Sequence, residues 1–329
     1  MKETLKIISD KYNIPSITKV EEVLSGVLNK NYILHSDKKY FLRHVRAKMV
    51  EKVQHIIEAE EFFKKVNIPV FLPIKNIDNT DFLRIDDSIY VLYPFIEGYC
   101  AKRESVSEAM IKNLAEMLAR IHSAGSGEVP ANLQYYVFEL KDINLWQERI
   151  KDLISFIEKK DKTPIDDRFI ESLNLKIEVS ERLKSVDFEG GKMILIHGDY
   201  HFGNIFFNDK GDIEAVFDWE RSEMSPRSIE IVRALIIMFS GGVFDDVFYR
   251  YSRLFLNYYR KILPIEAEEL AMGFKLRFLD GVCADWIERN HYIDNDLRSD
   301  KYLDSNLAAL KFLDRKSVDF VSFSKELLG

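Results

Sequence analysis

Ile196-His197-Gly198-Asp199-Tyr200-His201-Phe202-Gly203-Asn204 and, further on, Ala215-Val216-Phe217-Asp218-Trp219-Glu220 are the two stretches that decide how this chain folds. Each closes a run of apolar and β-branched residues, 193–196 and 213–217, so the polar residues that follow sit where strands emerge into solvent. Taken singly, these residues are what a turn, a cap or a packed histidine needs. Taken together they are not. Two strand-ending carboxylates, a side-chain amide and two histidines supply hard oxygen donors and proton acceptors in one place.

Asp199 and Asn204 have the spacing of a kinase catalytic loop, in which the Asp accepts a hydroxyl proton and the Asn holds magnesium. Asp218 falls where protein kinases carry their other metal ligand. At these residues the chain resembles the aminoglycoside phosphotransferase / choline kinase / type II homoserine kinase superfamily. That family's blocks, His-Gly-Asp-x-His-x-x-Asn and then Asp-Trp-Glu, stand here at 197–204 and 218–220. The resemblance implies an α+β, bilobal protein-kinase-like fold: an N-terminal mixed or antiparallel sheet lobe with one helix, and a mainly helical C-terminal lobe. It implies ATP, or GTP in its place, between the lobes. It also implies Mg2+ at Asn204 and Asp218, Asp199 as the base, and His197 and His201 as braces of the loop. Glu220 is a further metal or substrate contact, or an exposed residue.

The bulk numbers narrow the class. A chain of 329 residues is long for one core and comfortable for two. A net charge of -7 with no basic run argues against nucleic-acid binding. Cys100 and Cys283 are too few for a disulfide framework or zinc cluster and suit a reducing compartment. No apolar run approaches the roughly 20 residues needed to cross a bilayer, and the start lacks the apolar core of a signal peptide. The expected location is the cytoplasm and the expected partner a small-molecule substrate, with no membrane; oligomeric state is left open.

Periodicity predicts a helix over 4–12, strands over 17–24, 32–35 and 40–45, a helix over 50–66, and strands over 71–77, 82–85 and 89–93. Tyr93-Pro94-Phe95-Ile96-Glu97-Gly98 is a stiff connector, which sets the expected domains at 1–98, nucleotide binding, and 99–329, catalytic and substrate binding. Relatives hydrogen-bond adenine along such a segment, which implies nucleotide contacts at Pro94, Phe95 and Ile96. Ser105-x-x-Glu108 reads as a capping box, opening a helix with Ile111, Leu114, Leu118 and Ile121 on one face and a structural His122 at its end. Helices are predicted over 144–158 and 166–183, and mostly beyond Ser228.

Between the first two strands lies Ser25-Gly26-Val27-Leu28-Asn29-Lys30-Asn31-Tyr32, where a glycine lets backbone amides approach a phosphate. The family's loop of this kind matches Gly26, Asn29 and Tyr32, and Ser25 stands beside them. Arg43 occupies the place of the kinase lysine that reaches the phosphates, and Arg grips phosphate bidentately. Glu60, on the apolar stripe of the 50–66 helix, needs a partner there and is expected to pair with Arg43, with Glu58 as the alternative. In Ser225-Pro226-Arg227-x-x-Glu230, Ser225 and Glu230 stand where relatives carry two acids, one of which braces the catalytic loop. Asp285, Trp286, Glu288, His291, Tyr292 and Asp294 fit a solvated helix face, and are also candidates for receiving a substrate ammonium by charge pairing and stacking.

The implied activity is ATP- and Mg2+-dependent transfer of a phosphoryl group to a hydroxyl of a small molecule: an amino alcohol, amino acid, aminoglycoside or sugar. The alternative is a non-catalytic kinase-fold protein with a ligand-binding or coat-like role. Retention of Asp199, Asn204 and Asp218 favours the enzyme. The absence of an Ala-Pro-Glu motif after Asp218 argues against a protein substrate.

Overall fold

The computed structural model describes residues 2–23, 30–160, 163–183 and 191–329. They form two compact units: one of Met1–Ala101, Glu128–Tyr135 and His197–Ser222, the other of Lys102–Gly127, Tyr136–Ile196 and Glu223–Gly329. The first segment carries α1 (Lys2–Tyr12), β1 (Lys19–Val23), β2 (Lys30–His35), β3 (Lys39–Arg46), α2 (Val50–Lys65), β4 (Leu83–Ile85), β5 (Ser88–Pro94) and β6 (Tyr99–Cys100). Five of these strands make one antiparallel sheet in the order β1-β2-β3-β5-β4.

Strand alternation divides the sheet's two faces. Tyr40, Leu42 and Leu92 pack with Ile8 and Tyr12 of α1, whereas Val45, Ile89, Val91 and Tyr93 pack with Val53 and Ile57 of α2. Each such aliphatic side chain contributes roughly 1.5–3 kcal/mol on burial, so α2 is fixed to its face. Arg43, opposite Val91 in the ladder, belongs to that same face. The strand expected at 71–77 does not form. Pro69 and Pro73 have no N–H for a ladder, and the segment is tied to β5 by the Ile74 N–H on the Leu92 carbonyl, 2.7 Å.

In the second unit α3 (Glu108–Gly125), α4 (Ile143–Glu158), α5 (Pro164–Leu183) and β7 (Met193–Ile196) follow. The apolar face of α3 at Ile111, Leu114, Leu118 and Ile121 is fully buried. Its cap is Ser107, whose side chain accepts the Met110 N–H. Ser105 instead bonds the Lys102 carbonyl, and Glu108 is the first helical residue, so the cap lies two positions further on and, with Met110 at its third helical position, the expected capping box does not form.

The chain then returns to the first unit, where β8 (Ile205–Phe207) and β9 (Ile213–Val216) form a hairpin flanked by β6. The Val216 N–H donates to the Pro69 carbonyl at 2.8 Å, and the Trp219 ring stacks on Phe63 with centroids 4.3 Å apart. These contacts bind the hairpin and the turn after it to α2 and to the segment that follows that helix.

Back in the second unit, β10 (Glu223–Pro226) pairs antiparallel with β7. Helices α6 (Arg227–Phe239), α7 (Asp246–Ile262), α8 (Ala267–Val282), α9 (Trp286–Tyr292), α10 (Leu303–Lys316) and α11 (Phe320–Leu328) complete it. His122, wholly buried at the end of α3, donates from Nε2 to Glu230 of α6 at 2.9 Å, and its Nδ1 meets the Tyr259 hydroxyl of α7 at 2.8 Å. A buried histidine between a carboxylate and a phenol ties three helices together. Among the described residues, no helix is long and apolar enough to cross a membrane.

Candidate active site

The loop after β7 is built around Gly198, whose φ is +81°. A Cβ there would stand 1.9 Å from the Arg221 carbonyl oxygen, so only glycine permits this turn. His197 is fully buried and donates from Nε2 to the Phe217 carbonyl at 3.0 Å. A carbonyl only accepts, which leaves Nδ1 as the acceptor for the Asp199 N–H at 3.1 Å. His201 Nδ1 accepts the Gly203 N–H at 3.0 Å, and its Nε2 lies 3.6 Å from Asp199 Oδ2. Both histidines therefore hold the loop.

Asn204 closes it. Its Nδ2 donates to the Asp199 carbonyl at 2.9 Å and its backbone N–H to the His201 carbonyl at 2.9 Å. The Phe217 N–H in turn donates to the Asn204 carbonyl at 3.0 Å. Since Ile205 stands opposite Val216, Asn204 just before β8 and Asp218 just after β9 share the open end of the hairpin. The structure thus brings Asp199, Asn204 and Asp218 together on one hydrogen-bonded assembly.

Asp218 is left-handed, with φ 65° and ψ 59°, a conformation that Asp tolerates better than most side chains. Its Oδ1 accepts from Arg43 Nη2 at 2.6 Å, and Glu220 Oε2 lies 3.2 Å from the same nitrogen. The ion pair expected between Arg43 and Glu60 is replaced by these two. The cause lies in the neighbours: Asp218 and Glu220 each bring a carboxylate oxygen to Arg43, while the Tyr93 hydroxyl on the same sheet face donates to both Glu60 oxygens at 3.1 and 3.3 Å.

Burial pushes the Glu60 carboxyl up to about 8, against the downward pull of Arg43 and of the Tyr93 hydroxyl. The folded protein therefore holds a proton at Glu60 that the unfolded chain, titrating near the ordinary 4.5, has released. Between about pH 4.5 and 8 the native state binds more protons than the unfolded one, so this site's stability contribution is lost as pH rises. Glu60→Gln should remove that loss. Denaturant unfolding without metal or nucleotide should show the variant gaining roughly 4 kcal/mol on the wild type between pH 5 and pH 8.5. An unchanged difference would mean that Glu60 titrates as an ordinary carboxylate.

Pro94 ends β5 opposite Tyr40, and Phe95 and Ile96 follow it half-buried, with Lys39 Nζ 5.0 Å from the Phe95 ring centre. Ser25, Gly26 and Asn29 lie outside the described residues. Asp285, Trp286 and Glu288 belong to the second unit. Asp285 pairs with Arg149 at 3.1 Å, and Glu288 with Lys176 at 2.7 Å, so both carboxylates already have cationic partners. Trp286 is 42% exposed. His291 pairs with Asp300 at 2.9 Å, and the Tyr292 hydroxyl donates to Asp166.

Two residues of the assembly carry no chemistry of their own, and their supporting roles were not assigned from the sequence motifs that contain them. Tyr93 occupies Glu60, a role foreshadowed by its two-residue spacing from Ile89 and Val91. Trp219 is fully buried and donates from Nε1 to the Val216 carbonyl at 3.2 Å. Its signal in the sequence was its place in the Asp-Trp-Glu block at 218–220.

The family model of the phosphotransferase enzyme family matches residues 19–265. The chain belongs to this family. Its members are small-molecule kinases, and the phosphotransferase has their fold. A spectinomycin phosphotransferase in complex with ADP and spectinomycin is similar over 98% of both chains, at 16% identity and a TM-score of 0.71. An amicoumacin kinase in complex with AMP-PNP, Ca2+ and Ami matches 95% of this chain and 92% of its own, at 16% identity and 0.67. Choline kinase from Cryptosporidium parvum Iowa II covers 100% of both, at 14% identity and 0.63.

Proposed function

We propose that this phosphotransferase moves the γ-phosphate of ATP, with Mg2+, to a hydroxyl of a small molecule, with Asp199 as the base. The observation that carries this reading is the hydrogen bond from Asn204 to the Asp199 carbonyl at the hairpin end where Phe217, bonded to the Asn204 carbonyl, leads directly into Asp218. Similar proteins that hold ADP with spectinomycin, or AMP-PNP with Ami, support a nucleotide and a small acceptor together.

The donor set fits magnesium. Asn204 spends its amide nitrogen on the Asp199 carbonyl, which turns its oxygen to acceptor duty, and Asp218 engages Arg43 through one carboxylate oxygen. Among the described residues no cluster of three or more His, Cys, Asp or Glu forms a ready metal cage. Magnesium is commonly held by one or two side-chain oxygens plus substrate phosphates, the number that Asn204 and Asp218 can supply. When bound, magnesium would neutralise charge on those phosphates.

The remaining work falls to the chain. Asp199 takes the acceptor's proton on a carboxylate oxygen while His197, through the Asp199 N–H, fixes the backbone that carries it. Arg43, whose charge survives burial because Asp218 and Glu220 offset it, is within one side chain of the metal ligands and faces the phosphates. The backbone of Phe95 and Ile96 receives adenine, and Ser25, Gly26 and Asn29 cover the phosphates. The acceptor is an amino alcohol, amino acid, aminoglycoside or sugar, with Glu220, Asp285, Trp286 and Glu288 as candidate contacts. A coupled ATP-consumption screen across these four classes should give acceptor-dependent turnover. Failure of every acceptor, with no ATP bound, would remove the reading.

A further inference from the structure

Helix α2 has two buried faces. Val53 and Ile57 lie against the sheet, as does Glu60 through its bond with Tyr93. His55, Ala59 and Phe63, one helical turn apart, form the other face, and all three are buried. This second face lies on the turn that follows Asp218. Phe63 stacks on Trp219 with centroids 4.3 Å apart and ring planes at 23°. His55 Nε2 lies 2.9 Å from the Ser222 carbonyl oxygen and 3.1 Å from Ser222 Oγ. Because a carbonyl only accepts, Nε2 carries the hydrogen and donates it.

The turn Trp219–Ser222 is thereby pinned at both ends by one helix. Trp219 is held further by its bond to the Val216 carbonyl and by the His197 ring at 4.5 Å. Asp218 enters this turn in the left-handed region. A non-glycine residue keeps that conformation only when its surroundings hold it there. An imidazole on a face otherwise lined by Ala59 and Phe63 is costly to bury unless its N–H is used, and the Ser222 carbonyl is where it is used.

We propose that His55 is a positioning residue for the metal-side carboxylate. By holding the Ser222 carbonyl it fixes, together with the Phe63–Trp219 stack, the turn from which Asp218 projects. It thereby sets how tightly the site holds a divalent cation. The inference rests on the phosphotransferase reading of Asn204 and Asp218, and the effect acts through the His55 contacts with Ser222. Outer residues that orient metal ligands typically change metal affinity by about 10- to 100-fold when lost.

The test measures metal binding without turnover. Mn2+ is titrated into protein plus ADP, with no acceptor, and free Mn2+ is read by electron paramagnetic resonance. His55→Phe fills the space without a donor, and His55→Gln returns an N–H close to the place of Nε2. The expected result is Mn2+ binding weakened about tenfold or more in His55→Phe, metal-free ADP affinity unchanged, and recovery towards wild type in His55→Gln. Where the phenyl ring is not accommodated and the protein does not fold, His55→Asn replaces it, since its shorter amide leaves the donor out of reach. A folded donor-less variant that binds Mn2+ as the wild type does would reduce His55 to packing and overturn the inference alone. A wild-type protein that binds neither Mn2+ with ADP nor ATP would overturn the phosphotransferase reading together with it.

Discussion

Asp199→Asn is expected to lower kcat by about 10² to 10⁴, roughly 3 to 5 kcal/mol of barrier, and to leave nucleotide affinity nearly unchanged. The separation of these effects comes from how the loop is held. His197 grips the Asp199 N–H, and Asn204 grips its carbonyl. Both bonds use the backbone and survive the substitution, as does the glycine turn before it. What disappears is a carboxylate able to take a proton, replaced by an amide of nearly the same shape. Single-turnover kinetics with a responsive acceptor, alongside ATP binding by calorimetry, separates chemistry from affinity. A variant with near wild-type kcat would show that the proton leaves by another route.

Asp218→Ala should act on the metal and on the fold together. It deletes an oxygen donor for a doubly charged ion, so the Mg2+ concentration for half-maximal nucleotide binding should rise by about 100-fold or more, beyond what outer residues cost. It also takes from Arg43 the oxygen at 2.6 Å. Breaking a buried ion pair costs roughly 3–5 kcal/mol. The 38% exposure of the Asp218 side chain and the remaining Glu220 partner reduce this to about 1–3 kcal/mol. Asp218→Asn, which keeps the shape and the tolerance of the left-handed backbone, should recover much of the stability and little of the metal response. Calorimetry with and without Mg2+, and denaturant unfolding, read the two effects separately. Unchanged Mg2+ dependence in the alanine variant would transfer the metal role to Glu220.

The catalytic loop was legible because its parts are contiguous. A glycine between a histidine and an aspartate, with an asparagine five residues on, encodes its own hydrogen-bonded closure, and neighbouring strands announce its ends. The partner of Arg43 was not legible in the same way. Sequence spacing put Glu60 on the buried stripe of α2 correctly. It could not rank Tyr93 against Arg43 as the group that meets it, nor weigh Asp218 and Glu220, far along the chain, as rivals. That choice is made by register across the sheet and by desolvation, both tertiary. The strand expected at 71–77 rests on an apolar run that Pro73 interrupts and Pro69 precedes, and neither residue has an N–H to give to a ladder. Ser105 and Ser107 offered the same capping chemistry two residues apart, which local pattern alone does not resolve.

The joining of His197–Ser222 to the amino-terminal segment has a consequence for biosynthesis. While the polypeptide is being made, Phe63 lacks the indole that covers it and Pro69 lacks the amide that meets its carbonyl until residue 222 has left the ribosome. At elongation rates of about 5–20 residues per second, the nascent amino-terminal sheet waits on the order of ten seconds for its last partners. The entropic penalty of so long a closure grows only logarithmically with chain length, so the finished protein loses little stability by it. The delay is kinetic: an aromatic helix face stays open to solvent mid-synthesis, available to a chaperone or to a neighbouring chain.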